Sequence, residues 1–231
     1  MSTTPPQDVN LAFSDKYGRE HARAYFHKHH DGLSRRLSHW RDVHIARRAL
    51  ARAGEPQLVL DLPCGAGRFW PLLAERAERD IIAADNSPDM LAVARSMQPP
   101  ALVERVRTMQ TSAFDIDLPP ASVDCIFCMR LLHHIGDAAH RMRMLREFHR
   151  VTRESLIVSL WVDGNFKAWR RKRLESDRAR RERRGYQNRF VLPVATAERE
   201  FVDAGFDIVD KIDFLPRYAM WRTYVLRKTS R

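Results

Sequence analysis

Apolar residues in this chain fall into short unbroken runs, separated by stretches with a helical period. Leu58-Val59-Leu60, Ile81-Ile82-Ala83-Ala84, Val123 to Met129 and Ser155 to Val162 each have strand length. Runs apolar on both faces are what a buried parallel sheet requires. The pattern predicts strands near 57–62, 80–85, 103–110, 123–129, 155–162, 206–213 and 218–227. Helices are predicted over 67–78, from Ser87-Pro88 to about Met97, from Gly136-Asp137 to about Val151, and over Ala195–Ala204. Ser87 stands as N-cap with Pro88 at the first helical position. Gly205 stands where the last of these helices must end.

This alternation predicts an α/β fold with a doubly wound, mostly parallel seven-stranded sheet. No crossover helix fits between the last two strands, which turn around Pro216. They must therefore pair antiparallel, as a C-terminal hairpin. Upstream, residues 1–12 read as a tail. Residues 15–52 have a helical period, with two helices parted near Asp31-Gly32. Leu33, Leu37, Trp40, Val43, Ala46 and Leu50 form the expected apolar stripe, and Gly54 the C-terminal cap. The expected organisation is a tail and helical cap over 1–54 and a main domain over 55–231, with a basic insert at 163–190.

Composition sharpens this picture in three places. No apolar run approaches the ~18 residues of a membrane span, and Met1–Asp15 lacks the apolar core of a signal peptide. The three cysteines, Cys64, Cys125 and Cys128, lie in predicted strands or the turn after the first strand. An odd count in such places fits a reducing cytoplasm better than a disulfide framework. The net charge of +11 is concentrated. Lys167–Arg189 holds eleven Lys or Arg against three acids. Such a run is either a solvated face or a footprint for an anionic partner.

The chemistry begins at Asp61-Leu62-Pro63-Cys64-Gly65-Ala66-Gly67. A strand enters a glycine turn, which lets backbone approach a ligand, with a predicted helix N-terminus behind it to favour an anion. Asp85 ends the next strand about 20 residues on, where a carboxylate can take a ribose hydroxyl pair. The third glycine of a dinucleotide fingerprint is missing, since Arg68, Phe69 and Trp70 follow Gly67. The stretch instead resembles motif I of the class I S-adenosylmethionine-dependent methyltransferases, within a broad group that includes quinone-biosynthesis enzymes. Asp61, Gly65 and Gly67 match the motif, and Pro63 stands at its first glycine.

The resemblance covers roughly 55–230 and implies a Rossmann-like fold whose N-terminal helices cover the cofactor pocket. It implies S-adenosyl-L-methionine as cofactor and assigns Asp61, Pro63, Gly65 and Gly67 to its methionine end and ribose. Asp85 then takes the ribose and Asn86 lies beside the adenine. Ser112, Ala113 and Phe114 match the adenine-binding stretch, with Ser112 replacing an acid and Asp115 as a nearby substitute acceptor. A backbone carbonyl near Met129 or Arg130 holds the methionine ammonium. His133 falls within reach of the reacting centre, as base or acceptor ligand.

The expected function is methyl transfer to a small or lipid-linked acceptor, at oxygen. The basic segment 167–189, with Phe166 and Trp169, suggests an anionic membrane surface or a phosphorylated glycolipid. Methylation of RNA or protein is the alternative, although no RNA-binding module is recognisable and nucleic acid is the less favoured partner. A non-catalytic cofactor-binding scaffold is a further class. No metal site is expected. Cys125 and Cys128 are three apart on a strand and face opposite ways, and His27-Lys28-His29-His30 reads as a solvated helix end. Trp161 and Trp221 read as strand residues, which leaves Trp169 as the exposed aromatic contact.

Overall fold

The computed structural model describes residues 32–180 and 189–229. The predicted helix before Asp31, the tail, the 27–30 histidine run and residues 181–188 of the basic segment lie outside the described residues. Helix α1 (Leu33–Arg52) precedes strand β1 (Leu58–Asp61), the one-turn helix α2 (Trp70–Leu73) and β2 (Asp80–Asp85). Then come α3 (Pro88–Met97), the short α4 (Pro100–Val103), β3 (Val106–Gln110) and β4 (Val123–Cys128). Helix α5 (Ala138–Val151), β5 (Thr152–Trp161), α6 (Phe166–Arg180), α7 (Val194–Asp203), β6 (Phe206–Asp213) and β7 (Trp221–Lys228) complete the order.

The strands form one seven-stranded sheet in the order β3-β2-β1-β4-β5-β7-β6. Strands β1 to β5 are parallel, and β7 runs antiparallel between β5 and β6. The doubly wound sheet and its terminal hairpin are thus as the hydrophobic pattern predicts. Apart from an irregularity between Val123 and Cys125, side chains of the parallel strands alternate between two cores. Val59, Ile81, Ala83, Cys125, Phe127 and Ile157 pack on one face. Leu60, Ile82, Ala84, Ile126, Cys128, Leu156 and Val158 pack on the other. Period-2 alternation with both faces apolar is the pattern of a covered parallel sheet. It also separates Cys125 from Cys128, on opposite faces. After β3 the chain crosses over β1 to begin β4, so the strand order reverses between β1 and β4. Ligands of open α/β sheets sit at that reversal, outside the carboxyl ends of the strands.

Four local predictions are corrected. The helix predicted over 67–78 is only α2, with turns on either side. Carbonyls that a longer helix would use internally accept guanidinium donors instead. Arg79 donates to Leu73 O, and Arg105 donates to Ala74 O, Arg76 O and Ala77 O. Strand β3 starts at Val106 because Pro100 initiates the α4 turn, a position that suits proline. Strand β5 starts early, at Thr152, whose hydroxyl bridges Asp124 O and Ser155 O.

The fourth correction is the buried stripe of α1. Asp42, Ile45, Ala46, Ala49 and Leu50 are buried, while Leu33, Leu37 and Trp40 are 61–83% exposed. Only the C-terminal half of α1 packs on the sheet core. Its N-terminal half therefore gains nothing from the apolar period.

Candidate functional site

The carboxyl end of β1 runs directly into the glycine turn. Gly65 and Gly67 have φ of +54° and +72°, the left-handed region that glycine adopts without strain. A Cβ at Gly67 would lie 2.9 Å from the Trp70 ring. Gln98, at the end of α3, donates to Gly67 O at 2.9 Å. The Gly65 amide donates to Asp85 Oδ2 at 2.9 Å, and the Ser87 amide to Oδ1 at 2.9 Å. The Asn86 amide favours the same carboxylate, which still has lone-pair capacity left for a hydroxyl donor. Pro63 is half-buried in the same turn. Because α2 is one turn long, the helix dipole expected behind the glycines is small.

Asp61 lies under this turn and is 1% exposed. Neither carboxylate oxygen has a hydrogen-bond partner among the described residues. Burial, and then the charge of Asp85, hold the Asp61 carboxyl well above its usual range. Burial also raises Asp85, against the backbone donors that favour its ionised form. A buried carboxylate without donors is costly. A cationic ligand with several N–H donors satisfies it, and the methionine ammonium of S-adenosylmethionine is such a group. The residues present therefore fit that cofactor.

The remaining predicted cofactor residues follow the carboxyl ends of β2, β3 and β4. Asn86 is exposed beyond β2, and its carbonyl accepts from Gln110 Nε2. Ser112 Oγ accepts from the Phe114 amide at 3.2 Å, closing a local turn. Ala113 and Phe114 are buried, and the Phe114 ring lies 6.2 Å from His140 on α5. Met129 is buried at the end of β4. Arg130 has φ of +65°, an uncommon conformation for a side-chain-bearing residue. Its amide donates to Ser159 Oγ at 2.8 Å, and its guanidinium pairs with Asp42 of α1. Strained backbone of this kind concentrates at functional sites.

Asp42 also accepts from Arg68 Nη2 at 2.5 Å. One buried carboxylate thus ties α1 to the glycine turn and to the end of β4. No signal in the sequence marks Asp42, because a single acid on a predicted helix, here between Arg41 and Val43, reads as a surface residue.

His133 lies in a one-turn 3₁₀ segment after β4 and is 3% exposed. Its ring is 5.0 Å from Trp161 and 4.6 Å from Trp221. Burial pushes its pKa down to about 2, helped by His134 and by Arg189, Arg130 and Arg171. The imidazole is neutral at physiological pH. Trp161 and Trp221 are register partners at the end of β5 and the start of β7. They join the site, against the sequence expectation that they serve only their strands. Only their pairing reveals this, and it spans sixty residues of chain.

Helix α6 follows the carboxyl end of β5, at the same end of the sheet. Phe166, Trp169, Leu174, Leu215 and Tyr218 are each about half exposed. Phe166 stacks on Tyr218 at 5.8 Å and lies 5.9 Å from Trp169. Lys167 and Arg173 sit over Tyr218 and Trp169. No described helix is long and apolar enough to cross a membrane.

Comparison with known proteins bears on the family and the fold. Residues 59–155 match the family described as a methyltransferase domain. A probable S-adenosylmethionine-dependent methyltransferase of Mycobacterium tuberculosis is 38% identical over 103 residues, 44% of this chain and 34% of its own length. An uncharacterized methyltransferase-like protein of Schizosaccharomyces pombe is 31% identical over 97 residues, 42% of this chain and 34% of its own. The match thus spans about a third of the length of these relatives. Magnesium protoporphyrin IX methyltransferase from Synechocystis, solved with bound SAH, superposes with a TM-score of 0.74. It is 16% identical, with 93% of this chain and 97% of that one covered. At that identity the likeness concerns the fold.

Proposed function

The chain belongs to the class I S-adenosylmethionine-dependent methyltransferase superfamily, and on that premise we propose that it methylates an oxygen of a small or lipid-linked acceptor. The observation that carries this reading is the Asp61 carboxylate, buried beside the glycine turn with neither oxygen partnered among the described residues. Asp61 holds the methionine ammonium, assisted by backbone at Met129 and Arg130. Pro63, Gly65 and Gly67 bring backbone against the methionine end and ribose. Asp85 takes the ribose hydroxyls with its remaining lone pairs, while Asn86, Ser112, Ala113 and Phe114 border the adenine.

When bound, S-adenosylmethionine supplies a methyl group already activated on a sulfonium. The protein's own share is positioning and exclusion of water. Trp161 and Trp221 wall the acceptor side with apolar surface. His133 Nδ1 has no hydrogen-bond partner among the described residues, so the neutral imidazole is available to hydrogen-bond and orient an acceptor hydroxyl, while its depressed pKa argues against the base role that the sequence suggests.

A specific observation favours an acceptor met at a membrane surface. The exposed aromatics of α6 and the Leu215–Tyr218 loop are interleaved with Lys167, Arg170, Lys172, Arg173 and Arg217. Aromatic rings with a polar rim and basic side chains suit an anionic lipid interface. A phosphorylated saccharide lipid offers the same chemistry.

The test is incubation with methyl-labelled S-adenosylmethionine and fractionated cell extract. Label is expected in the lipid or small-molecule fraction. Label in RNA or protein would replace the acceptor class. Cofactor binding with no transfer to any fraction would replace the enzyme with a scaffold.

A further inference from the structure

The side of the site away from Asp61 is an aromatic box edged by guanidinium groups. Trp161 and Trp221 meet edge to face at 5.5 Å, and His133 lies against both. Three arginines converge on this box from three separate elements. Arg130, after β4, lies 4.6 Å from the centre of the Trp221 ring. Arg171, on α6, lies 5.1 Å from that of Trp161, and Arg189, after the basic segment, 5.7 Å.

The arrangement is tied in place by backbone. The Phe190 amide donates to His133 O at 2.7 Å, and the Leu192 amide to Trp161 O at 2.9 Å. Arg171 Nη2 donates to Arg189 O at 3.0 Å. The segment carrying Arg189 is therefore folded back over the strand ends.

Two features of this box call for a ligand. First, three guanidinium groups gather on its rings. Glu175 pairs with Arg171 at 2.7 Å, but Asp42 is shared between Arg68 and Arg130. Guanidinium groups crowded beside a site for a sulfonium cation raise the local potential, which an anion lowers. Second, His133 Nδ1 and Trp161 Nε1 are buried with no hydrogen-bond partner among the described residues. Buried polar atoms are normally satisfied, so these two point to a polar ligand group. Flat rings beside planar guanidiniums favour a flat ligand.

We propose that the acceptor carries a carboxylate or phosphate on a flat, unsaturated scaffold. Arg130, Arg171 and Arg189 hold that anion at the rim of the Trp161–Trp221–His133 box. This assignment rests on the methyltransferase reading for the word acceptor, and on the box itself for the anion.

The test uses the full chain saturated with S-adenosylhomocysteine, titrated with 2-naphthoate, 2-naphthyl phosphate and neutral 2-naphthamide. Quenching of tryptophan fluorescence and titration calorimetry report binding. One of the two anions is expected to bind roughly 10-fold or more tightly than the amide, the scale of one charge-assisted contact. Which anion wins identifies the natural group. Arg171→Gln and Arg189→Gln should each weaken the anion by roughly 10-fold, leave the amide unchanged and leave S-adenosylhomocysteine affinity intact. Arg171→Lys should restore part of the loss, because it keeps the charge without the fork. Equal binding of acid, phosphate and amide overturns the proposal, as does anion affinity that survives both Gln substitutions. Anion selectivity in a chain that fails to bind S-adenosylmethionine would sink the methyltransferase reading and leave the anion site standing.

Discussion

The Gly65 amide donates to Asp85 Oδ2 at 2.9 Å. The carboxylate assigned to the ribose therefore also pins the glycine turn from the neighbouring strand. Asp85→Ala should weaken S-adenosylmethionine by roughly 1.5–3 kcal/mol, the range for a lost charged hydrogen-bond partner. Asp85→Asn keeps one oxygen for the turn and should lose less. Titration calorimetry on the folded variants checks this. An unchanged dissociation constant for Asp85→Ala removes Asp85 from the ribose role.

Asp61 couples cofactor binding to protons. Its folded pKa is raised, so the ligand-free chain keeps the carboxyl protonated at pH values above the unfolded range near ~3.9. The folded state thus binds more protons than the unfolded state there. The ligand-free chain should lose stability as pH rises through that window. A bound ammonium reverses the preference. S-adenosylmethionine should bind more tightly as pH rises through the same window, with release of a proton. Calorimetry in buffers of different ionisation enthalpy reads the released proton directly. Asp61→Asn should abolish the release, and its persistence in that variant would place the titrating group elsewhere.

His133 titrates in the opposite sense. Its folded pKa is about 2, below the unfolded value near ~6.5. Below that pH the unfolded chain takes up a proton that the folded chain refuses, so stability falls with acid. The stability difference between wild type and His133→Gln should move against wild type by ~1.4 kcal/mol per pH unit between about pH 6 and 4. Urea unfolding across that range measures it, and a difference independent of pH would mean a solvated imidazole. His133→Ala should also cut turnover by roughly 10²-fold, through loss of an orienting contact, while sparing cofactor affinity. Near-normal turnover would leave the ring a packing role.

Helix α6 is the element to strip of charge. Replacing Arg170, Lys172 and Arg173 with Gln should weaken sedimentation with phosphatidylglycerol vesicles at low salt, by about 1 kcal/mol for each charge removed. Binding to neutral phosphatidylcholine vesicles should be weak for both proteins. Equal sedimentation of variant and wild type at low salt would make the basic run a solvated surface.

The sheet was legible because its strands are buried on both faces, so each reads as an apolar run whatever its neighbours do. Asp61, Gly65, Gly67 and Asp85 were legible for a related reason. A glycine turn between two strand-end carboxylates is a local pattern set by backbone geometry. Apart from the start of β3, where Pro100 acts locally, the failures are non-local. The helix after Gly67 is cut to α2 by donors from Arg79 and Arg105, which no pattern within 67–78 contains. The exposed Leu33, Leu37 and Trp40 keep a helical period that the sheet does not reach. Asp42, shared by Arg68 and Arg130, and the Trp161–Trp221 pair depend on chain segments 26 to 88 residues apart. Contacts at that range are set by topology and register, after the local pattern has been spent.

The most direct test of the central claim is a calorimetric titration of the full chain with S-adenosylmethionine, beside Asp61→Ala. The buried carboxylate at the end of β1 predicts saturable binding of one cofactor per chain, lost or strongly weakened in the variant while the fold is retained. A wild-type chain that binds no S-adenosylmethionine, or an Asp61→Ala variant that binds it equally well, would contradict the account.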